Sequence, residues 1–214
     1  MDLDSEKKYL GKQAVSFVKN EMVLGLGTGS TVEFFLKELA VEVSQGLNIS
    51  AVASSIATEQ RASELNIPLV SIDEVDQIDL VVDGADEIDL KQNMIKGGGA
   101  ALLREKILIA SAKRVIIIAD NSKKVDFLGK FPLPVEITPY GHLITQKQIH
   151  SLDCKGSFRL DGNNDLFVTD NGNYLFDITN LYPLDDPLLL HERLISIPGV
   201  VETGLFCDYS PYIL

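Results

Sequence analysis

Three short segments of the sequence combine residue types that could bind an anion and move a proton. Residues 25–31 form a glycine-rich run that ends in two hydroxyls. Residues 83–89 hold four carboxylates, and residues 96–106 join a lysine, three consecutive glycines and Glu105. A carboxylate base working beside cations and backbone N–H groups suits acid–base chemistry on a small anionic substrate.

Residues 25–31 lie between a short apolar run and an amphipathic segment, as a strand-to-helix turn would. A dinucleotide fingerprint needs glycine at the sixth position and an acidic residue about 20 positions later, whereas this chain has Ser30 and then Ser54-Ser55. A Walker loop also fails, because no Gly-Lys-Ser/Thr follows. Two interpretations stay open: an oxyanion-binding loop, most plainly for phosphate, or a tight turn whose Ser30 or Thr31 caps the helix.

The carboxylates of residues 83–89 follow the apolar run 78–83. Their number is compatible with a solvated acidic loop or with a divalent-metal site. Lys91, Lys96 and the glycine run come next, and they favour a third interpretation, in which the carboxylates accept hydrogen bonds from sugar hydroxyls.

Glu105 follows the triple glycine on a predicted helix over 100–112. Its neighbours at three and four residues are all apolar: Ala101, Leu102, Leu108 and Ile109. Partial desolvation on such a face should raise the pKa of Glu105 toward working pH, as a general base requires. A structural ion pair with an arginine or a lysine is the alternative.

The segments need a scaffold that places them together. Apolar runs alternate with helical patterns, which predicts an α/β fold with an open, mostly parallel, Rossmann-like sheet covered by helices on both faces. The predicted strands are 22–25, 49–53, 78–83 and 114–119, with a short one at 67–72; the first helix spans 5–19. Ligands of such sheets bind beyond the carboxyl ends of the strands, where all three segments fall.

From 131 onward the pattern changes to β-α-β-β-α-β, which predicts a smaller α+β, ferredoxin-like domain. Its strands are predicted at 133–138, 157–160 with a continuation at 165–169, 174–179 and 200–206, and its helices at 141–152 and 186–195. Asn171-Gly172 is a hairpin turn pattern. We therefore predict a catalytic domain over 1–130 with 203–214, and a smaller domain over 131–202.

The composition of the chain limits the kinds of partner and ligand that we expect. The formal net charge of −12 and a pI near 4.6 argue against nucleic acid or a membrane surface as partner. The acidic N-terminus predicts no targeting peptide, so we expect a cytoplasmic protein. Cys154 and Cys207 lack CxxC spacing and are expected as reduced thiols. The three histidines share no metal-ligand spacing with one another or with the cysteines, and we expect no metal site.

In order and spacing, the three segments closely resemble the A-type ribose-5-phosphate isomerases. The similarity spans nearly the whole chain. It is carried by residues 27–31, 83–88, 94–106, 129–136, 168–173 and 197–201.

The resemblance implies an aldose–ketose isomerase that interconverts D-ribose 5-phosphate and D-ribulose 5-phosphate through an enediol(ate), in the non-oxidative pentose phosphate pathway. It implies no cofactor, and a homo-oligomer, either dimer or tetramer.

The resemblance also assigns roles by position. Glu105 would be the base, Asp83 and Asp86 would contact the sugar hydroxyls, and Lys96 would stabilise the enediolate. The remaining residues of the implied substrate site are Thr28, Gly29, Ser30, Thr31, Gly84, Ala85, Gly97, Gly98, Gly99, Lys123 and Lys7.

One segment departs from the family. Residues 207–214 differ from its usual ending, which leaves the last strand and any oligomer contact it makes open. The rival hypotheses are a non-catalytic sugar-phosphate sensor and a related acyl-CoA transferase or amino-sugar isomerase.

Overall fold

The structure is a computed structural model that describes residues 2–214. The chain folds into two compact units, each built from separated stretches of sequence. The first unit comprises residues up to 85, 104–123 and 209–214, and the second comprises 86–103 and 124–208. The limits expected from the sequence, 1–130 with 203–214 and 131–202, were drawn at the change in pattern near residue 131 and stay a prediction.

Residues 2–214 contain twelve strands and six α-helices. The strands are β1 (Val23–Leu26), β2 (Ser50–Ala53), β3 (Leu80–Asp83), β4 (Glu87–Ile88), β5 (Met94–Ile95), β6 (Val115–Ile117), β7 (Leu133–Ile137), β8 (Gly156–Phe158), β9 (Tyr174–Ile178), β10 (Val200–Thr203), β11 (Leu205–Phe206) and β12 (Tyr212–Ile213). The helices are α1 (Leu3–Val15), α2 (Ser30–Ser44), α3 (Ile56–Glu64), α4 (Leu102–Ala110), α5 (His142–Ser151) and α6 (Pro187–Ile195).

The first unit contains a five-stranded sheet in the order β12-β6-β3-β1-β2, with every neighbouring pair parallel. All four residues of β3 are buried, as expected for a strand covered on both faces. Helices α1 and α2 contribute Leu10, Phe35 and Leu39 to the same core as the sheet. The predicted Rossmann-like α/β fold is confirmed.

The second unit contains a four-stranded antiparallel sheet in the order β10-β7-β9-β8. Helices α5 and α6 complete the β-α-β-β-α-β sequence of elements, so the ferredoxin-like prediction is confirmed. Its core includes Val135, Phe176 and Leu194, none of which is exposed to solvent.

A third sheet, β11-β5-β4, was not predicted. Its strands have two residues each, too few for an alternating pattern in the sequence. The predicted strand 200–206 is wrong as a single element, because β10 pairs with β7 whereas β11 pairs with β5. The switch occurs at Gly204, whose N–H donates to Pro134 and whose carbonyl accepts from Lys96.

Two other predicted strands are wrong in extent. The run 67–72 forms only an isolated bridge between Ala51 and Leu69, followed by a short 3-10 helix, Ile72–Glu74. The run 165–169 is reduced to isolated bridges at Leu166 and Val168. In both runs the apolar residues are present, but their pairing is limited to single bridges.

The end of the chain, which the sequence left open, returns to the first unit. β12 lies parallel to β6, and Leu214 donates its N–H to the Ile117 carbonyl at 2.9 Å. Separately, none of the helices within 2–214 has the length and apolar character needed to cross a membrane.

Candidate active site

The glycine-rich loop follows β1 and leads into α2, as predicted. A Cβ atom on Gly27 would collide with the Asp83 carboxylate, so only glycine lets the loop pass this side chain. The Thr28 N–H donates to Asp83 Oδ1 at 3.2 Å. The ends of β1 and β3 therefore hold the first and second predicted segments in contact.

The cap of α2 differs from the prediction. Gly29, at φ 131°, is the N-cap, and no side chain caps the helix, so the prediction that Ser30 or Thr31 caps it is wrong. Ser30 is already the first helical residue, which turns its hydroxyl away from the capping position. That hydroxyl instead accepts a hydrogen bond from Lys7 Nζ at 2.9 Å, which places Lys7 against the loop.

Thr28 belongs to a cluster of hydroxyls that sequence reasoning missed. Its Oγ1 lies 2.8 Å from the Ser54 and Ser55 oxygens and 3.1 Å from that of Thr58. Thr58 in turn donates to the Gly27 carbonyl at 2.9 Å. In the sequence, the Ser54-Ser55 pair at the end of β2 served only to exclude a dinucleotide site, because it stands where such a site needs an acidic residue. Its position beyond a strand's carboxyl end was the usable indication.

Two of the four clustered carboxylates belong to the candidate site. Asp83 is buried, and its Oδ1 also accepts the Gly84 N–H at 2.7 Å. Asp86 Oδ2 accepts the Gly98 N–H at 2.8 Å. Each carboxylate thus has a fixed orientation set by backbone N–H groups.

The other two carboxylates stabilise the fold. Glu87 is buried and accepts the N–H groups of Gly129 and Phe131, both at 2.7 Å. Asp89 closes the turn between β4 and β5 by accepting the backbone N–H groups of Lys91 and Asn93. The acidic segment is therefore neither a solvated loop nor a set of four equivalent ligands.

Lys96 follows β5 and is 2 % exposed. Its Nζ lies 5.4 Å from the centroid of the Phe206 ring on β11, within range of a cation–π contact. The backbone N–H of Lys96 donates to the Gly204 carbonyl at 2.9 Å. Contacts with β11 and with Gly204 just before it therefore position both the ammonium group and the backbone of this lysine.

The triple glycine forms a tight turn directly after Lys96. The Ala100 N–H donates back to the Gly97 carbonyl at 2.9 Å. At Gly98, a Cβ atom would lie 2.8 Å from Asp86 Oδ1 and 3.0 Å from Phe131 Cζ, so a side chain there would displace the Asp86 carboxylate. The close backbone approach expected from three consecutive glycines is present.

Glu105 lies in the first turn of α4 and is 2 % exposed. The four neighbours named from the sequence are buried as well, at 4 % or less. The apolar helix face on which the prediction rested therefore exists. Burial of this kind disfavours a charged carboxylate unless other groups stabilise it.

Lys123 ends a short 3-10 helix, Asn121–Lys123, in the first unit. Glu6 of α1 accepts the N–H and the side-chain amide of Asn121, both at 3.2 Å. Glu6 precedes Lys7, so one turn of α1 contacts both the glycine-rich loop and the segment that carries Lys123.

The predicted residues divide between the units. The first unit carries Lys7, Thr28, Gly29, Ser30, Thr31, Asp83, Gly84, Ala85, Glu105 and Lys123; the second carries Asp86, Lys96, Gly97, Gly98 and Gly99. Across 2–214, no three His, Cys, Asp or Glu side chains are grouped as a metal site would require.

Within the first unit, fold and residues define a class: an α/β protein with hydroxyls and an oriented carboxylate at the carboxyl ends of its parallel strands, where such sheets bind ligands, and with a helix N-terminus that suits an anion. The sequence model of the ribose 5-phosphate isomerase A (phosphoriboisomerase A) family matches residues 50–214. The chain belongs to the ribose 5-phosphate isomerase A family.

Individual relatives agree. The chain is 50% identical over 204 residues to ribose-5-phosphate isomerase A of Bacillus cereus, covering 95% of this chain and 92% of the relative. It is 45% identical over 210 residues to the Protochlamydia amoebophila protein of the same name, covering 97% and 90%. A solved D-ribose-5-phosphate isomerase in complex with phospho-erythronic acid superposes with a TM-score of 0.95 at 39% identity, covering 100% and 94%.

Proposed function

We propose that this chain interconverts D-ribose 5-phosphate and D-ribulose 5-phosphate. The observation that carries the proposal is membership of the ribose 5-phosphate isomerase A family. The alignments with two relatives each cover at least nine tenths of this chain and of the relative. The phospho-erythronic acid complex of one relative supports a phosphorylated sugar derivative as the ligand class.

Glu105 is the proposed base. An aldose–ketose shift through an enediolate moves a proton from carbon 2 to carbon 1, and one carboxylate can take and return that proton. Glu105 is buried at the first turn of α4 and surrounded along the helix by apolar residues. In such surroundings water competes poorly for the proton while it is on the enzyme.

Asp83 and Asp86 are proposed to bind the sugar hydroxyls, to assist ring opening and to move protons between oxygens. Both carboxylates are oriented by backbone N–H groups, Asp83 by Thr28 and Gly84, and Asp86 by Gly98. A carboxylate oriented before the substrate arrives needs little rearrangement during the reaction.

Lys96, with the turn Gly97–Gly99, is proposed to stabilise the negative charge of the enediolate. The fixed position of this buried ammonium over Phe206 means that it does not have to be ordered by the substrate. Thr28, Gly29, Ser30, Thr31, Lys7 and Lys123, with Gly84 and Ala85, complete the proposed substrate contacts. Lys7 and the start of α2 suit the phosphate, since a helix N-terminus and an ammonium both favour an anion.

The setting is also proposed. We expect a cytoplasmic homo-oligomer, dimer or tetramer, that acts in the non-oxidative pentose phosphate pathway. The chemistry uses a base, hydrogen-bond donors and a cation, so we expect turnover without added metal or cofactor and with no loss in EDTA.

The direct test is to incubate the pure protein with ribose 5-phosphate and to measure ribulose 5-phosphate. We expect steady formation of the ketose, unchanged by EDTA. A folded sample that binds ribose 5-phosphate without converting it would favour the rival sugar-phosphate sensor. Activity on an acyl-CoA or an amino sugar phosphate instead would favour the other rivals.

A further inference from the structure

Arg159 lies just beyond β8 and contacts the backbone of the glycine turn. Its Nη1 donates to the Gly97 carbonyl at 3.2 Å and to the Gly98 carbonyl at 3.1 Å. Neither the sequence patterns nor the resemblance singled out this arginine. It lies more than 60 residues from the turn along the chain, and both belong to the second unit.

Asp177 on β9 holds the guanidinium in place. Nε and Nη2 of Arg159 donate to its two carboxylate oxygens at 2.9 and 2.7 Å, a bidentate pair. The two side chains are only 19% and 20% exposed. The Arg159 N–H also donates to the Leu175 carbonyl at 2.8 Å, so the arginine extends from a sheet rather than from a mobile loop.

The peptide group between Gly97 and Gly98 is held at both ends. Its carbonyl oxygen accepts from Arg159, and its N–H, which points the opposite way in a trans peptide, donates to Asp86 Oδ2 at 2.8 Å. The next peptide group has its Gly98 carbonyl on the same guanidinium, so the Gly99 N–H points away from Arg159. No residue within 2–214 accepts that N–H, which leaves it available to a ligand oxygen.

Consecutive glycines need such an external anchor. Glycine populates more backbone conformations than any other residue, so three in a row do not fix their own peptide planes. A charged guanidinium bound to two successive carbonyls selects one orientation for both planes, and charge-assisted hydrogen bonds are the stronger kind.

We propose that Arg159, held by Asp177, is a positioning residue for the isomerase site: it orients the 97–98 and 98–99 peptide groups, and through the Gly98 N–H it orients the Asp86 carboxylate. The inference rests on the proposed function, since the orientation matters for turnover only if Asp86 and the glycine turn meet the substrate. Arg159 itself need not touch the substrate.

Arg159→Met removes the donors while keeping an unbranched side chain. We expect kcat/KM to fall by roughly 100-fold, mainly through kcat, because a small misplacement of reacting groups has effects of that order. Guanidinium ions added at millimolar concentration should restore part of the activity. Arg193→Met, which removes an exposed arginine of the same unit, should leave the kinetics unchanged.

Asp177→Asn is the second variant, in case Arg159→Met folds poorly. It leaves the arginine in place but weakens the bidentate pair, so a smaller loss of kcat in the same direction is expected. A folded Arg159→Met or Asp177→Asn protein with kcat within about threefold of the unsubstituted chain, far less than misplacement produces, would overturn the proposal.

Amide hydrogen exchange separates this inference from the proposed function. The Gly98 N–H should exchange faster in Arg159→Met than in the unsubstituted protein, with exchange in β9 unchanged. That result is expected even if the chain fails to isomerise ribose 5-phosphate, in which case only the proposed function is wrong. Unchanged Gly98 exchange in a folded variant means that Arg159 does not hold the turn.

Discussion

Glu105 shows how much of a site can be inferred from one helix face. Its four helical neighbours are apolar in the sequence and buried in the structure, so the sequence correctly indicated that water would have little access to this carboxylate. The orientation of Asp86 by the Gly98 N–H, by contrast, follows from a turn that no local pattern describes. The burial of a side chain can be predicted from its neighbours within one element, whereas its hydrogen-bond partners from distant segments cannot.

We expect Glu105→Gln to bind ribose 5-phosphate and to lose most turnover. The amide has nearly the same shape but cannot accept the carbon-bound proton, and a positioned general base contributes roughly 10²–10⁴-fold to the rate. Steady-state kinetics with ribose 5-phosphate, alongside a binding measurement, gives the two quantities separately. Glu42→Gln, on the exposed face of α2, is the matched control and should behave like the unsubstituted chain. Near-normal kcat in Glu105→Gln would show that another group is the base.

At the scale of elements, continuous apolar runs were the reliable indicator. β1, β2, β3 and β6 lie close to where those runs predicted them, because a parallel strand buried on both faces leaves a plain pattern. The two-residue strands β4 and β5 have no pattern of their own and exist through pairing with each other and with β11. Likewise, the hydroxyls around Thr28 come from residues 26 to 30 positions away, so the sequence indicates that the Ser54-Ser55 pair follows a strand but not that it contacts Thr28.

Asp79, immediately before β3, connects β1 with the segment between α4 and β6 in the first unit. The hydrogen bond from Lys113 and that from the Val23 N–H hold the pKa of Asp79 below its usual value. A carboxylate with a lowered folded-state pKa stabilises the fold above its unfolded-state pKa, and this stabilisation disappears as the pH falls through the folded-state pKa.

We therefore expect Asp79→Asn to lower the free energy of unfolding by about 0.5–1 kcal/mol at pH 7, since the pair is partly exposed. The difference from the unsubstituted chain should shrink as the pH drops from about 5 to below 3. Urea unfolding at several pH values measures it. Asp76→Asn removes the same charge from an exposed neighbouring site and should show no such dependence; equal pH profiles for both variants would contradict the assignment to Asp79.

At the scale of the whole molecule, neither unit is formed from one continuous stretch of the chain. The first unit is built from three stretches, and the last of them, residues 209–214, supplies the edge strand β12. Leu214 packs against the core that contains Ile116 and Leu80. The sequence left this ending open, because residues 207–214 differ from the usual ending of the family.

Removing residues 209–214 should lower the melting temperature by roughly 5 °C or more, since a loss of 1 kcal/mol shifts it by about 2–4 °C in a chain of this size. The deletion uncovers Ile116 and Ile117, which are fully buried, and removes their backbone partners. Differential scanning calorimetry gives the comparison. Tyr212→Thr, which keeps the strand and its backbone pairing, is the control. An unchanged melting temperature in the truncated protein would mean that β12 adds nothing to the sheet.

The late arrival of β12 has a consequence during synthesis on the ribosome. β6 is translated long before its outer neighbour, and at about 5–20 residues per second the stretch 118–211 takes roughly 5 to 20 s to emerge. Throughout that interval the nascent chain presents an uncovered apolar strand edge, a surface on which other chains can pair. We expect a chaperone that covers this edge to reduce co-translational aggregation.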